Sequence, residues 1–188
     1  MCRGRHHSPS PRRSSQRQQR PRPHPLHFAS KGGHLEVVKI LVERQANVNA
    51  KAKDTSVAFG VTPLHWACQH GRANVADFLL RHGARMDILD QRNRSVLHAA
   101  SEGGDVQLIR MLLSLGADVS ARDIDGLRPI HLAAKARKTM ALEFYVQDYP
   151  ELVNVQTDTG LTPLGVASQQ GHKDLVTLLL SLSEGNGD

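Results

Sequence analysis

Apolar positions recur along this chain in a two-beat pattern. A short stretch mixing leucine, histidine and alanine comes first, as in Leu64-His65-Trp66-Ala67-Cys68. A denser apolar run follows, such as Val37-Val38-Lys39-Ile40-Leu41-Val42 or Leu175-Val176-Thr177-Leu178-Leu179-Leu180. Between the two beats stands a glycine (Gly33, Gly71, Gly104 or Gly171), and after the second comes a turn such as Gly83-Ala84 or Gly116-Ala117-Asp118. The pattern predicts pairs of short helices, each pair joined through a left-handed glycine and closed by a turn.

The first beat is written five times. Its copies are Pro25-Leu26-His27-Phe28-Ala29-Ser30, Thr62-Pro63-Leu64-His65-Trp66-Ala67-Cys68, Ser95-Val96-Leu97-His98-Ala99-Ala100, Pro129-Ile130-His131-Leu132-Ala133-Ala134 and Thr162-Pro163-Leu164-Gly165-Val166-Ala167. From Leu64 to Leu97 and from Leu97 to Ile130 the step is 33 residues, and to Leu164 it is 34. Thr62 and Thr162 suit the N-cap, where a hydroxyl accepts from the free amides of the first turn. Pro63, Pro129 and Pro163 suit the first helical position, where no amide bond is lost. Ala67, Ala100, Ala133 and Ala167 leave room for a neighbouring helix.

These motifs, in this register and with this period, resemble the ankyrin repeat. The resemblance covers roughly residues 25–182. It implies an all-α ankyrin-repeat solenoid, with repeats at about 25–50, 51–83, 84–116, 117–150 and 151–182. Within that frame His27, His65, His98 and His131 fall at one position, where the family uses a histidine to tie neighbouring turns by hydrogen bonds. The resemblance also assigns a partner-binding groove to the turn tips and the exposed ends of the first helices. Carried onto this chain, those positions are Gln69 and His70, then Gln91, Arg92, Arg94 and Glu102, then Ile124, Asp125, Leu127 and Lys135, and finally Asp158, Thr159, Gln169 and Gln170.

Departures from the period mark where the array is irregular. The first copy lacks the turn residues that should precede it and cannot use the usual N-cap. Leu26 to Leu64 is a step of 38, and the surplus lies in residues 51–60. An insertion there falls on a turn, as a slack loop or as a finger offering Lys51, Lys53 and Phe59. Asn93 replaces a turn glycine and tolerates the left-handed conformation. Arg137 replaces the glycine between the two helices of repeat 4, at a cost of about 1 kcal/mol. Pro150 stops the second helix of that repeat. Gly165 stands where the other copies have histidine, and residues 183–188 read as a polar end.

Charge divides the chain in two. Of the formal +6, residues 1–25 hold seven arginines and no acid, and the remainder carries 17 basic and 18 acidic residues. The basic character therefore belongs to the leader and not to the repeats. That leader, rich in Arg, Pro, Ser and Gln, is expected to be disordered. It is open to several readings: a solvated leader without a role, a weak RNA or DNA contact through arginine, a polyproline ligand, or a transit peptide that its prolines argue against. Ser8-Pro9, Ser10-Pro11 and Arg12-Arg13-Ser14-Ser15 resemble kinase sites, a common feature of such segments.

Candidate chemistry adds little. His65, Cys68 and His70 lack the paired spacing of a zinc site, so no metal or other cofactor is expected. No nucleophile elbow, metalloprotease motif or phosphate loop occurs, and an enzyme is not expected. Phe28 and Trp66 share a register beside the core alanines and are expected to pack. Two cysteines give no disulfide framework, and no apolar run reaches the roughly 20 residues of a membrane span. The sequence predicts a monomeric, intracellular array, in cytoplasm or nucleus, that binds another protein. The alternative is the ankyrin part of a larger enzyme or channel.

Overall fold

The computed structural model describes residues 24–52 and 60–184. The expectations for the basic leader and for Lys53 and Phe59 of the inserted finger lie outside the described residues. So does the end beyond Glu184.

Ten α-helices follow one another in pairs, and no strand occurs among the described residues. The pairs are α1 (Pro25–Gly32) with α2 (Leu35–Glu43), α3 (Pro63–Gln69) with α4 (Ala73–Arg81), and α5 (Val96–Gly103) with α6 (Val106–Ser114). They continue with α7 (Pro129–Lys135) and α8 (Thr139–Asp148), a short 3-10 turn at Pro150–Leu152, then α9 (Pro163–Gln169) and α10 (Lys173–Glu184). The all-helical solenoid expected from the repeats is the fold observed. First helices stack on first helices, and each second helix lies against its own partner.

Local chemistry sets the boundaries. Thr62 Oγ1 accepts from the His65 amide, Ser95 Oγ from the His98 amide, and Thr162 Oγ1 from the Gly165 amide. Helix α1 has Pro25 at its start and no side-chain cap from His24, as the truncated motif predicts. The residue joining each helix pair is left-handed, with φ +85° at Gly104. Arg137 adopts φ +56° at that same place, so a Cβ is held where glycine is preferred. Its guanidinium Nε reaches both carboxylate oxygens of Asp174 at 3.2 Å in the next repeat. Asn93 likewise adopts φ +58°.

One core runs the length of the stack. Leu26, Leu64, Leu97 and Ile130 are buried in the first helices, and Leu79, Leu112, Tyr145 and Leu179 in the second. Helices α3 and α5 approach closely. A Cβ added to Gly103 would lie 2.7 Å from the carbonyl oxygens of both Cys68 and Gln69. Gly103 is thus a contact residue between repeats as well as a helix end. Behind it, Ser101 Oγ and the buried Tyr145 hydroxyl meet at 2.6 Å and join repeat 3 to repeat 4.

The histidine register is a row of ties between repeats. Nε2 of His27, His65 and His98 lies 3.1, 3.2 and 3.1 Å from the carbonyl oxygens of Val61, Arg94 and Leu127, each at the head of the next repeat. In the last three rings of the row, Nδ1 accepts from the amides of Thr62, Ser95 and Arg128. Accepting at Nδ1 makes each of these rings the neutral tautomer that donates from Nε2. His131 Nε2 lies 3.1 Å from Val155 O, and the ring also feels the carbonyl of Leu161, which holds the place of Leu127 in the next repeat. His27 Nδ1 is buried without a hydrogen-bond partner.

Candidate functional site

Three turns and three first helices frame the groove side of repeats 3 to 5. The turns are tied to one another through the backbone: the Ile124 amide donates to Arg92 O at 2.9 Å, and the Asp158 amide to Asp125 O at 3.2 Å. Ion pairs repeat the connection. Arg92 pairs with Asp125, and Arg122 with Asp158, each across one repeat boundary. Both pairs are about half exposed and contribute roughly 0–1 kcal/mol each.

Two depressions lie between these turns and the helices behind them. One, of about 290 Å³, is lined by Arg92, Arg94, Glu102, Asp123, Leu127, Leu132, Lys135, Ala136 and Gln170. The other, of about 280 Å³, is lined by Asp125, Leu127, Lys135, Thr157, Thr159, Leu161, Val166, Gln169 and Gln170. They share Leu127, Lys135 and Gln170, so they adjoin along one groove. Its floor is aliphatic, its rim carries both charge signs, and Lys135 stands exposed between the two halves. A larger, more open hollow of about 570 Å³ lies away from this groove, at the ends of α2 and α4 beside Phe78 and His82.

The structure gathers nine of the sequence-predicted positions around these depressions: Arg92, Arg94, Glu102, Asp125, Leu127, Lys135, Thr159, Gln169 and Gln170. Gln69 is connected to them, since its Nε2 donates to Glu102 Oε2 at 3.1 Å. Gln91 and Asp158 are exposed at the turn tips, and Ile124 projects there with half its surface in solvent. His70 stands apart: its Nδ1 lies 3.0 Å from Trp66 O, capping the end of α3.

Arg94 is not the solvated tip residue expected from its turn. Its Nε donates to Asp90 Oδ2 at 2.8 Å, and its Nη1 reaches Glu102 Oε2 at 3.5 Å. The Asp90 side chain is only 4% exposed, and its Oδ1 also accepts from the amides of Arg92 and Arg94. Arg94 therefore completes the turn that His65 grips. The sequence reading missed Asp123, which repeats the role of Asp90 by accepting from the Asp125 and Leu127 amides at 2.9 Å each. Its 33-residue offset from Asp90 was the available signal. The reading also missed Leu132, Leu161 and Val166, the aliphatic floor.

Phe28 is a second correction. Packing was expected, yet it is 56% exposed and meets Trp66 edge-on, with ring centroids 5.6 Å apart. Trp66 is partly buried, with Lys31 Nζ 5.5 Å from its ring centre. His65 and Cys68 are engaged in the fold: both His65 nitrogens are hydrogen-bonded, and burial pushes the Cys68 thiol far above its usual range.

Comparison with known proteins agrees with the ankyrin-repeat fold. A family profile described as ankyrin repeats in three copies matches residues 26–123 and again residues 97–187. The E3 ubiquitin-protein ligase XBAT32 of Arabidopsis thaliana is 33% identical over 159 residues, which are 84% of this chain and 29% of that protein. Palmitoyltransferase AKR1 of Lachancea kluyveri is 26% identical over 159 residues, 82% of this chain and 21% of the relative. Human inversin is 30% identical over 133 residues, 70% of this chain and 12% of the relative. The chain thus spans less than a third of the length of these curated relatives.

Proposed function

Because the chain belongs to the ankyrin-repeat family, we propose that it is a non-enzymatic recognition module that binds a partner protein through the groove of repeats 3 to 5. One observation carries this reading: two adjoining depressions share Leu127, Lys135 and Gln170 and unite apolar floor with charged rim. That mixture suits a protein surface, which offers apolar anchors and both charge signs, better than a uniform polyanion. The aliphatic floor would take an anchoring side chain, and the exposed amides of Gln169 and Gln170 would meet backbone polar groups. Such a module works inside the cell, in cytoplasm or nucleus.

A photo-crosslinking residue tests the groove. Placed at Gln170 it should capture a discrete partner from an extract of the native source. The same residue at Ser114, on α6 away from the groove, should not. Equal capture from both positions would overturn the groove as the binding surface.

The relatives favour a second reading at a different scale. Where a stretch like this makes up under a third of a ligase or a palmitoyltransferase, the array serves as one region of a larger protein. In that reading the groove recognises and the activity resides elsewhere. Mass measurement of the native gene product distinguishes the two.

A further inference from the structure

The five repeats provide an internal control for what each side of a repeat is built to meet. Val75, Leu108, Ala141 and Leu175 hold one position in the second helices, and all are buried. Their counterpart in repeat 1, Val37, is 48% exposed. Ile40 on the same helix is 54% exposed, and Val37 lines a hollow of about 480 Å³ with Pro25, Phe28, Ala29 and His34. The opposite end shows the complementary pattern. Val38, Ala76, Ile109 and Leu142 are fully buried, whereas their counterpart Val176 is only partly covered. Ser168 is exposed where Ser30, Cys68, Ser101 and Ala134 are buried.

Each end is therefore one half of the joint that already holds the repeats together. A hydrogen bond continues the correspondence. At the first residue after the left-handed turn, Arg72 Nε donates to Lys31 O at 3.2 Å, and His172 Nε2 lies 3.0 Å from Lys135 O, each reaching back one repeat. His34 holds that place in repeat 1, and Gln169 holds the acceptor's place in repeat 5. Among the first 24 residues, Met1 and Cys2 alone belong to the apolar class that builds the core. Gly165 stands where a ring would reach for the next turn, so the joint would rest on helices.

We propose that a second copy of this chain covers the exposed face of repeat 1, with the repeat 5 end of one copy stacked on the repeat 1 end of the next. The contact is heterologous, so it leaves a free face at each end and adds copies in line. Its apolar area is that of one repeat joint, and it assembles at high protein concentration.

Sedimentation velocity of the full chain between about 5 μM and about 500 μM, a range that spans weak association, tests this. The weight-average sedimentation coefficient should rise with concentration. Val37→Glu with Ile40→Glu changes exposed side chains and leaves the fold intact, which circular dichroism checks. It should hold the protein monomeric, as should Ser168→Glu at the other end. Mixing these two variants restores one intact joint and should yield a species that stops at two copies. A wild-type monomer throughout would overturn the proposal. So would association lost with the repeat 1 substitutions but indifferent to Ser168→Glu, which would mean two repeat 1 faces meeting. A monomer that gains thermal stability only when a further ankyrin helix pair is fused before His24 would also overturn it, and would make this face the inner joint of a longer array.

Discussion

A buried imidazole that donates from Nε2 and accepts at Nδ1 has no room for a second proton. Burial holds His65 and His131 down to about 4, and lowers His27 and His98 as well, against the pull of the carbonyls they contact. Unfolded histidine titrates near 6.5, so the unfolded chain takes up protons first as pH falls. Stability is complete above about 6.5 and drains away towards about 4, by on the order of 2–3 kcal/mol for each of His65 and His131. Urea unfolding at pH 7.5 and 5 should show a clear loss at the lower pH; an unchanged midpoint would mean that the rings charge without cost. Arg94 is the other residue whose role is structural. Arg94→Ala leaves the Asp90 carboxylate buried without its cation and should cost about 1–3 kcal/mol, whereas Arg92→Ala should stay within about 0.5–1 kcal/mol. If the two cost the same in a urea melt, the Asp90 turn does not depend on its arginine. The histidine row was legible in the sequence because its chemistry repeats with the period. The Arg94 pairing was not, because it depends on a turn that folds Asp90 and Arg94 together four residues apart.

At the scale of elements, caps and breaks follow from residue types alone. Thr62, Ser95 and Thr162 cap, Pro63, Pro129 and Pro163 begin helices, and Pro150 ends one, since each effect needs only its own backbone. Contacts between repeats were harder to read. Gly103 ends α5 and lets that helix lie against the carbonyls of Cys68 and Gln69, a contact its own residue type does not announce. Gly103→Ala should force the two helices apart and cost about 1–3 kcal/mol, more than its helix propensity would return. A thermal melt equal to wild type would show that α3 and α5 have slack. Phe28 shows the same limit from the other side. Its register promised packing, and its position in the first repeat leaves it without a neighbour on one side. Burial at such a site is decided by what stands next in the stack.

Across the whole molecule, contacts run between nearest neighbours, and protection should grade along the array. Repeats 3 and 4 are covered on both sides, and Ser101 with Tyr145 bonds them internally. Among the described residues, repeats 1 and 5 are covered on one side only. Hydrogen exchange followed by mass spectrometry should therefore find the amides of α2 and α10 exchanging well before those of α5 and α7. Uniform protection from end to end would point to a single cooperative unit. The groove is founded on repeats 3 and 4, the better-protected part, and reaches into repeat 5, whose outer side breathes. Its position was legible from the register; its two-lobed form was not, since that depends on Leu127 and Leu161 standing where repeat 3 has Arg94.

The tie from His27 to Val61 spans 34 residues, while those of His65 and His98 span 29, yet all three have nearly the same length. Five additional residues have been absorbed without moving the joint. Two backbone bonds explain how: the Ala52 amide donates to Val61 O, and the Gly60 amide to Ala52 O, both at 2.8 Å. The strand of chain that leaves at Ala52 and the one that returns at Gly60 are clasped at their base, so the geometry of the array is indifferent to what is spliced between them. Doubling the length of such an excursion costs only about 0.6 kcal/mol in closure entropy. This makes the segment a natural port for engineering. A fluorophore-binding tag or a short epitope could be inserted there as a reporter, with the clasp between Ala52, Gly60 and Val61 holding its base.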